Sequence, residues 1–265
     1  MRKPNVIYIL ADDMGYGDVS AFNEHCGFST PAIDQLAEEG MSFTDAHATS
    51  AVCTPSRYSI LTGRYCWRST LKKDVLQGYD EPIISKDTST VADFMRSQGY
   101  RTACVGKWHL GLKWKLQNSE DKTSVDFSAS VAEGPVERGF DYFYGISASL
   151  DMPPYVYLEQ DHVTAVPDRV ETNEWERGNS YNKKMFRMGP VGSDFRHGEV
   201  LDRLTEKAME LLENWKNDPF FCICPLRLHT HLYCPQRNLK NGQKPMSTEI
   251  LSSCAMKWWE KLTVG

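Results

Sequence analysis

Short continuous apolar runs alternate along this chain with segments whose apolar residues recur every three or four positions. The first kind predicts strands and the second amphipathic helices. Asn5 to Leu10 (N-V-I-Y-I-L) is β-rich and apolar throughout, which predicts a strand buried on both faces. Met41 to Ala46, Tyr100 to Val105 and Phe220 to Cys224 are the other expected strands. Thr30 to Gly40 reads as a helix, with Thr30 as cap, Pro31 in the first turn, Ile33, Leu36 and Ala37 as the apolar stripe, and Gly40 closing it. Thr90 to Gly99 places Val91, Phe94 and Met95 on one face. His197 to Asn217 is the clearest helix, with Leu201, Leu204, Ala208, Leu211, Leu212 and Trp215 at helical spacing. Trp67 to Ser85, Leu116 to Val131 and Met152 to Ser193 have weak periodicity and read as loops, the last of them near the mouth of a site. Strands alternating with helices predict an α/β fold.

Composition changes this picture little. The chain has 265 residues, 41% hydrophobic and 25% charged, enough for a sizeable core in one large or two small domains. A net charge of -5 gives no reason to expect nucleic acid or an anionic membrane as partner. No apolar run is long enough to span a membrane, and the N-terminal run lacks the cleavage site of a signal peptide. The eight cysteines show no metal-ligand spacing, and Cys222 and Cys224 read as strand core.

Three stretches carry candidate chemistry. The first expected strand runs into Ala11-Asp12-Asp13-Met14-Gly15-Tyr16-Gly17-Asp18. Adjacent carboxylates at the end of a buried strand are costly unless a cation sits between them, and hard oxygens favour Ca²⁺ or Mg²⁺. A solvated acidic turn is the alternative for these residues read alone. Asp18 reads as a turn or supporting residue. The second stretch is Cys53-Thr54-Pro55-Ser56-Arg57, followed by Leu61-Thr62-Gly63-Arg64. Pro55 predicts a helix start, with Cys53 just ahead of it, beside free N–H groups that suit an anion. Arg57 adds a permanent forked cation for a tetrahedral oxyanion. The third is Gly106-Lys107-Trp108-His109-Leu110-Gly111. In an extended segment Lys107 and His109 project to the same side, a mobile cation beside a proton carrier.

C-T-P-S-R with L-T-G-R, A-D-D-x-G-Y-G-D, G-K-W-H-L-G and the G-F-D-x-F-Y-G stretch from Gly139 together resemble the type I sulfatases, with wording that leans toward the arylsulfatase A-like group. The resemblance covers about residues 4–226 in family order. It implies an alkaline-phosphatase-like α/β fold with a mostly parallel central sheet flanked by helices, and hydrolysis of a sulfate ester. It implies that Cys53 is converted to formylglycine by a formylglycine-generating enzyme, and that the hydrated aldehyde is the nucleophile. Asp12, Asp13 and the residue at position 53 would ligate Ca²⁺, with Mg²⁺ the lesser alternative. Arg57 and Lys107 would neutralise sulfate oxygens, and His109 would orient or deprotonate. The substrate would be a sulfated small molecule or glycan; its alcohol is not legible. A non-catalytic sulfatase-like binding module and a phosphate or phosphonate ester hydrolase of the same superfamily are the alternatives.

From Arg227 the sequence departs from the pattern: the family's P-H-T-P or P-H-P does not follow, and there is no D-N-G. Residues 227–265 are expected to be an atypical tail, consistent with an out-of-frame reading, so the role of the family's proton-donor histidine is not carried to His229. The catalytic region is thus expected to be incomplete at its C-terminus, and the chain weakly active or inactive.

Overall fold

The structure, a computed structural model, describes residues 3–27, 29–171 and 186–227. The chain divides into two compact units. The first comprises Met1–Leu10 and Ala48–Leu226, the second Ala11–His47 and Arg227–Gly265. His229 and the rest of the expected tail from residue 228 onward lie outside the described residues.

The first unit is built on a six-stranded sheet. Its strands are β1 (Val6–Asp12), which runs on into the second unit, β2 (Arg101–Lys107), β3 (Tyr142–Ile146), β4 (Tyr157–Glu159), β5 (His162–Val163) and, after a separate hairpin of β6 (Pro167–Glu171) and β7 (Gly189–Gly192), β8 (Phe220–Arg227). Their order is β1-β8-β2-β3-β4-β5. β2 pairs parallel with both β8 and β3, whereas β4 and β5 continue antiparallel. β2 is buried from Thr102 to Lys107, as a strand flanked on both sides by neighbours should be. The helices of this unit are α2 (Cys53–Thr62), α3 (Val91–Ser97) and α4 (Val200–Trp215); α1 (Pro31–Glu39) belongs to the second unit.

Periodicity locates α4 well: all six residues of its expected stripe are buried. At α3, Thr90 and Asp93 form a reciprocal capping box. The aromatics of the Gly139–Gly145 stretch are core, with Phe140 and Phe143 fully buried and each edge-on to Trp108 at 6.4 Å. Cys222 and Cys224 are buried in β8, two apart and therefore on one face, with sulfurs 3.4 Å apart.

Four expectations are corrected. β1 is not buried on both faces: among the described residues it ends the sheet with β8 as its single neighbour, and Tyr8 and Ile9 are both 42% exposed. Met41 to Ala46 forms no strand; Thr44 and Asp45 make a turn, and Met41 and Phe43 face solvent. A hexad in which Met41 and Phe43 alternate with polar residues has no ladder to join without a partner strand. Met152 to Ser193 contains β4, β5, β6 and β7, so much of the expected loop is paired strand. Polar residues such as Asp168 and Arg169 in β6 hide it from a hydropathy reading. The stripes of the two short helices are also only partly covered, since Leu36 and Phe94 are exposed.

Candidate active site

α2 starts at Cys53 itself, with Val52 as its extended cap, rather than at Pro55. A proline anywhere in the first turn forfeits no hydrogen bond, so Pro55 permits a start two residues earlier. Gly63 ends the helix in the left-handed region at φ 66° and donates to the Ser59 carbonyl at 2.8 Å. Cys53 is therefore a half-buried free thiol in the first turn, where unsatisfied N–H groups point past it.

The Gly106–Gly111 segment leaves the carboxyl end of β2, the edge at which α/β sheets bind ligands. Gly106 has φ 146° and packs on Pro225 of β8; Gly145 of β3 packs on the Gly106 carbonyl. A Cβ at either position would collide with backbone, so the three parallel strands approach as closely as they do because these residues are glycines. Trp108 and His109 donate their amides to the carbonyls of Ile146 and Ser147 at 2.9 and 3.0 Å, extending the β2–β3 ladder past Lys107. His109 then adopts φ 58°, so the segment is not the extended one that the two-residue spacing suggested. Lys107 and His109 are both buried, at 1% and 0% exposure.

One residue joins these parts. Thr54, fully buried, donates its hydroxyl to the His109 carbonyl at 3.0 Å and accepts the Leu76 amide at 3.3 Å. The Leu76 carbonyl lies 2.7 Å from His109 Nε2, which makes that nitrogen the donor. Arg57, 4% exposed and one turn along α2, donates from Nη1 to the Lys107 carbonyl at 2.6 Å. Thr54 and Arg57 thus bond the first two turns of α2 to the backbone at His109 and Lys107, and Cys53 precedes Thr54 in the chain. Beside these bonds is a cavity of about 20 Å³, lined among others by Arg57, Lys107, Cys104, Trp108, Ile223 and Pro225. Burial pushes the Cys104 thiol up and keeps it protonated, against the opposing pull of the Arg57 charge. Burying a cation is costly unless an opposite charge or hydrogen bonds accompany it.

Thr54 and Leu76 were not singled out in the sequence. Thr54 sits at the variable second position of C-x-P-x-R, and Leu76 takes part only through its backbone. The Ser147 hydroxyl is buried and without a hydrogen-bond partner among the described residues. Asp12 and Asp13 belong to the second unit. Asp12 is the last residue of β1; Asp13 follows at φ 68° and is exposed. Asp18 is a turn residue, accepting the Gly15 amide at 2.8 Å.

Residues 4–249 match the family model for Sulfatase. The chain belongs to the sulfatase family. It is 34% identical over 249 residues to an N-acetylgalactosamine-6-O-sulfatase of Bacteroides thetaiotaomicron, covering 83% of this chain and 47% of that protein. It is 38% identical over 151 residues to arylsulfatase A of Bos taurus, covering 57% of this chain and 27% of that one. A solved structure from work on the metabolism of multiple glycosaminoglycans by Bacteroides thetaiotaomicron superposes with a TM-score of 0.80 at 30% identity, over 100% of this chain and 60% of its own. The sulfatase described here thus spans about half the length of the curated relatives it matches most widely, or less. Its fold is the alkaline-phosphatase-like α/β fold expected from the motifs.

The sulfatase's described residues fit a calcium ion in kind and not in number. Asp12 and Asp13 are hard oxygen donors, but Ca²⁺ takes about six to eight oxygens. Among the described residues no group of three or more His, Cys, Asp or Glu is placed to hold a metal.

Proposed function

We propose that this chain carries the sulfate-binding half of a sulfuric ester hydrolase site, with formylglycine at position 53 and sulfated saccharides as substrates. The observation that carries the reading is the Arg57–Lys107 pair: two buried basic residues, Arg57 one turn beyond Cys53 in α2 and donating to the Lys107 carbonyl. Arg57 and Lys107 bind and orient sulfate oxygens and offset the charge that they carry as the ester bond breaks. His109, held by Leu76 and Thr54, positions a proton at its ring beside that charge. Formylglycine would supply a hydrated aldehyde, whose second hydroxyl lets a bound sulfate be expelled where a thiol could not. Asp12 and Asp13 would hold a Ca²⁺ together with ligands beyond the described residues. The saccharide reading follows the broad match to the N-acetylgalactosamine-6-O-sulfatase.

The test is sulfate release from N-acetylgalactosamine 6-sulfate by chain co-expressed with a formylglycine-generating enzyme and supplied with Ca²⁺. Slow release that depends on Cys53, well below the rate of the Bacteroides relative, is expected. Release that persists in Cys53→Ala, faster release from a phosphate ester, or failure of chain shown to carry formylglycine to bind sulfate overturns the reading.

A further inference from the structure

One loop carries chemistry that the site does not use. Residues 63–76 leave the end of α2 and return to its start, where Leu76 is tied to Thr54 and His109. Cys66 is buried and pins the loop to the core. Its neighbours turn outward: Tyr65 is 51% and Trp67 57% exposed, and their rings stack at 5.6 Å with 16° between the planes. The Arg68 guanidinium lies 5.5 Å from the centre of the Trp67 ring, and Lys72 Nζ donates to the Trp67 carbonyl at 2.9 Å. Arg64, Arg68, Lys72 and Lys73 are all exposed here, against one exposed acid, Asp74. Four positive charges less one leave three in excess, on a chain whose net charge is -5.

Exposed aromatic area of this kind marks an interaction surface. The two rings stack on each other and so present one flat aromatic face. A flat aromatic face accepts the C–H face of a pyranose ring, and the guanidinium and ammonium groups around it accept sulfate or carboxylate. The local excess of cations on an acidic chain selects an anionic ligand.

We propose that Tyr65 and Trp67, with Arg64, Arg68, Lys72 and Lys73, form an accessory binding surface for an anionic saccharide chain. The proposal rests on the reading of the site as one for sulfated saccharides. α2 places about 15 Å of helix between Cys53 and the start of the loop, at about 1.5 Å per residue. A ligand engaging both ends is an oligosaccharide, and a monosaccharide engages the Cys53 end alone.

The experiment is calorimetric titration of the 265-residue chain with a chondroitin 6-sulfate octasaccharide and, separately, with N-acetylgalactosamine 6-sulfate. The variants are Trp67→Ala and Lys73→Glu, on exposed side chains outside the Cys53 framework. Octasaccharide affinity is expected to fall at least tenfold in Trp67→Ala and severalfold in Lys73→Glu, with monosaccharide affinity unchanged in both. Unchanged octasaccharide affinity in both variants overturns the surface and leaves the site reading intact. An altered oligomeric mass at unchanged octasaccharide affinity assigns the patch to self-association and also overturns it. Failure of the wild-type chain to bind either saccharide overturns the surface together with the reading on which it rests.

Discussion

Thr54→Val removes one hydroxyl and keeps the shape of the side chain. Two buried backbone groups then lose a partner: the His109 carbonyl, bonded at 3.0 Å, and the Leu76 amide, bonded at 3.3 Å. Leaving a buried group unsatisfied costs about 1–3 kcal/mol, and the longer bond contributes the smaller share, so the loss is about 2–4 kcal/mol. For a domain of this size each kcal/mol lowers the melting temperature by about 2–4 °C, which gives a fall of roughly 5–15 °C. Thermal unfolding followed by near-ultraviolet circular dichroism reads this directly. Thr54→Ser restores the hydroxyl and is expected to recover most of the loss. A Thr54→Val protein that melts within about 2 °C of wild type, or a Thr54→Ser protein no better than Thr54→Val, refutes the claim that this hydroxyl holds the framework.

Gly145→Ala drives a methyl into the Gly106 carbonyl, so a loss of about 4 kcal/mol or more is expected in guanidinium denaturation; a loss near 1 kcal/mol would show that the strands can part cheaply. Arg57→Lys gives up the fork that reaches the Lys107 carbonyl and an anion together. Sulfate release is expected to drop at least tenfold with the fold retained, and an unchanged rate would remove Arg57 from the site. His197 packs among Tyr155, Phe186 and Phe195, and burial lowers its pKa to about 4, against the opposing effect of a hydrogen bond to the Leu150 backbone. Above pH 6.5 it is neutral in both states. Between pH 6.5 and about 4 only the unfolded chain takes up the proton, so stability is lost as the pH is lowered through that window, by on the order of 3 kcal/mol. His197→Phe should flatten this part of the stability profile, and an unaltered slope would contradict the assignment.

What the sequence made legible follows from what local pattern can encode. α4 lies against the core with an apolar periodicity that is that of its buried face, and β2, with a neighbour on each side, is buried almost throughout. The Met41 to Ala46 hexad has the same strand-like composition and no ladder to join, a fact stored elsewhere in the chain. β6 and β7 show the reverse: polar and glycine-rich residues become strands because each has the other to pair with. The site divides in the same way. Cys53, Arg57, Lys107 and His109 stand out because their chemistry is unusual in their contexts. Thr54 does not, because a buried hydroxyl bridging two distant backbone segments leaves no local mark. The left-handed turn at His109 is equally hidden, since nothing in K-W-H-L-G requires a positive φ there. Pro55 misplaced the helix start because proline is equally tolerated throughout the first turn.

The central claim is that Cys53 is the precursor of the reactive group and not a structural thiol. Peptide mass spectrometry of the segment containing Cys53, from chain co-expressed with a formylglycine-generating enzyme, tests it most directly. The expected result is the aldehyde, captured as a hydrazone, at position 53 and at none of the other cysteines, and absent from Cys53→Ala. A thiol at position 53 in every molecule, under conditions in which the same enzyme converts a control peptide substrate, would contradict it.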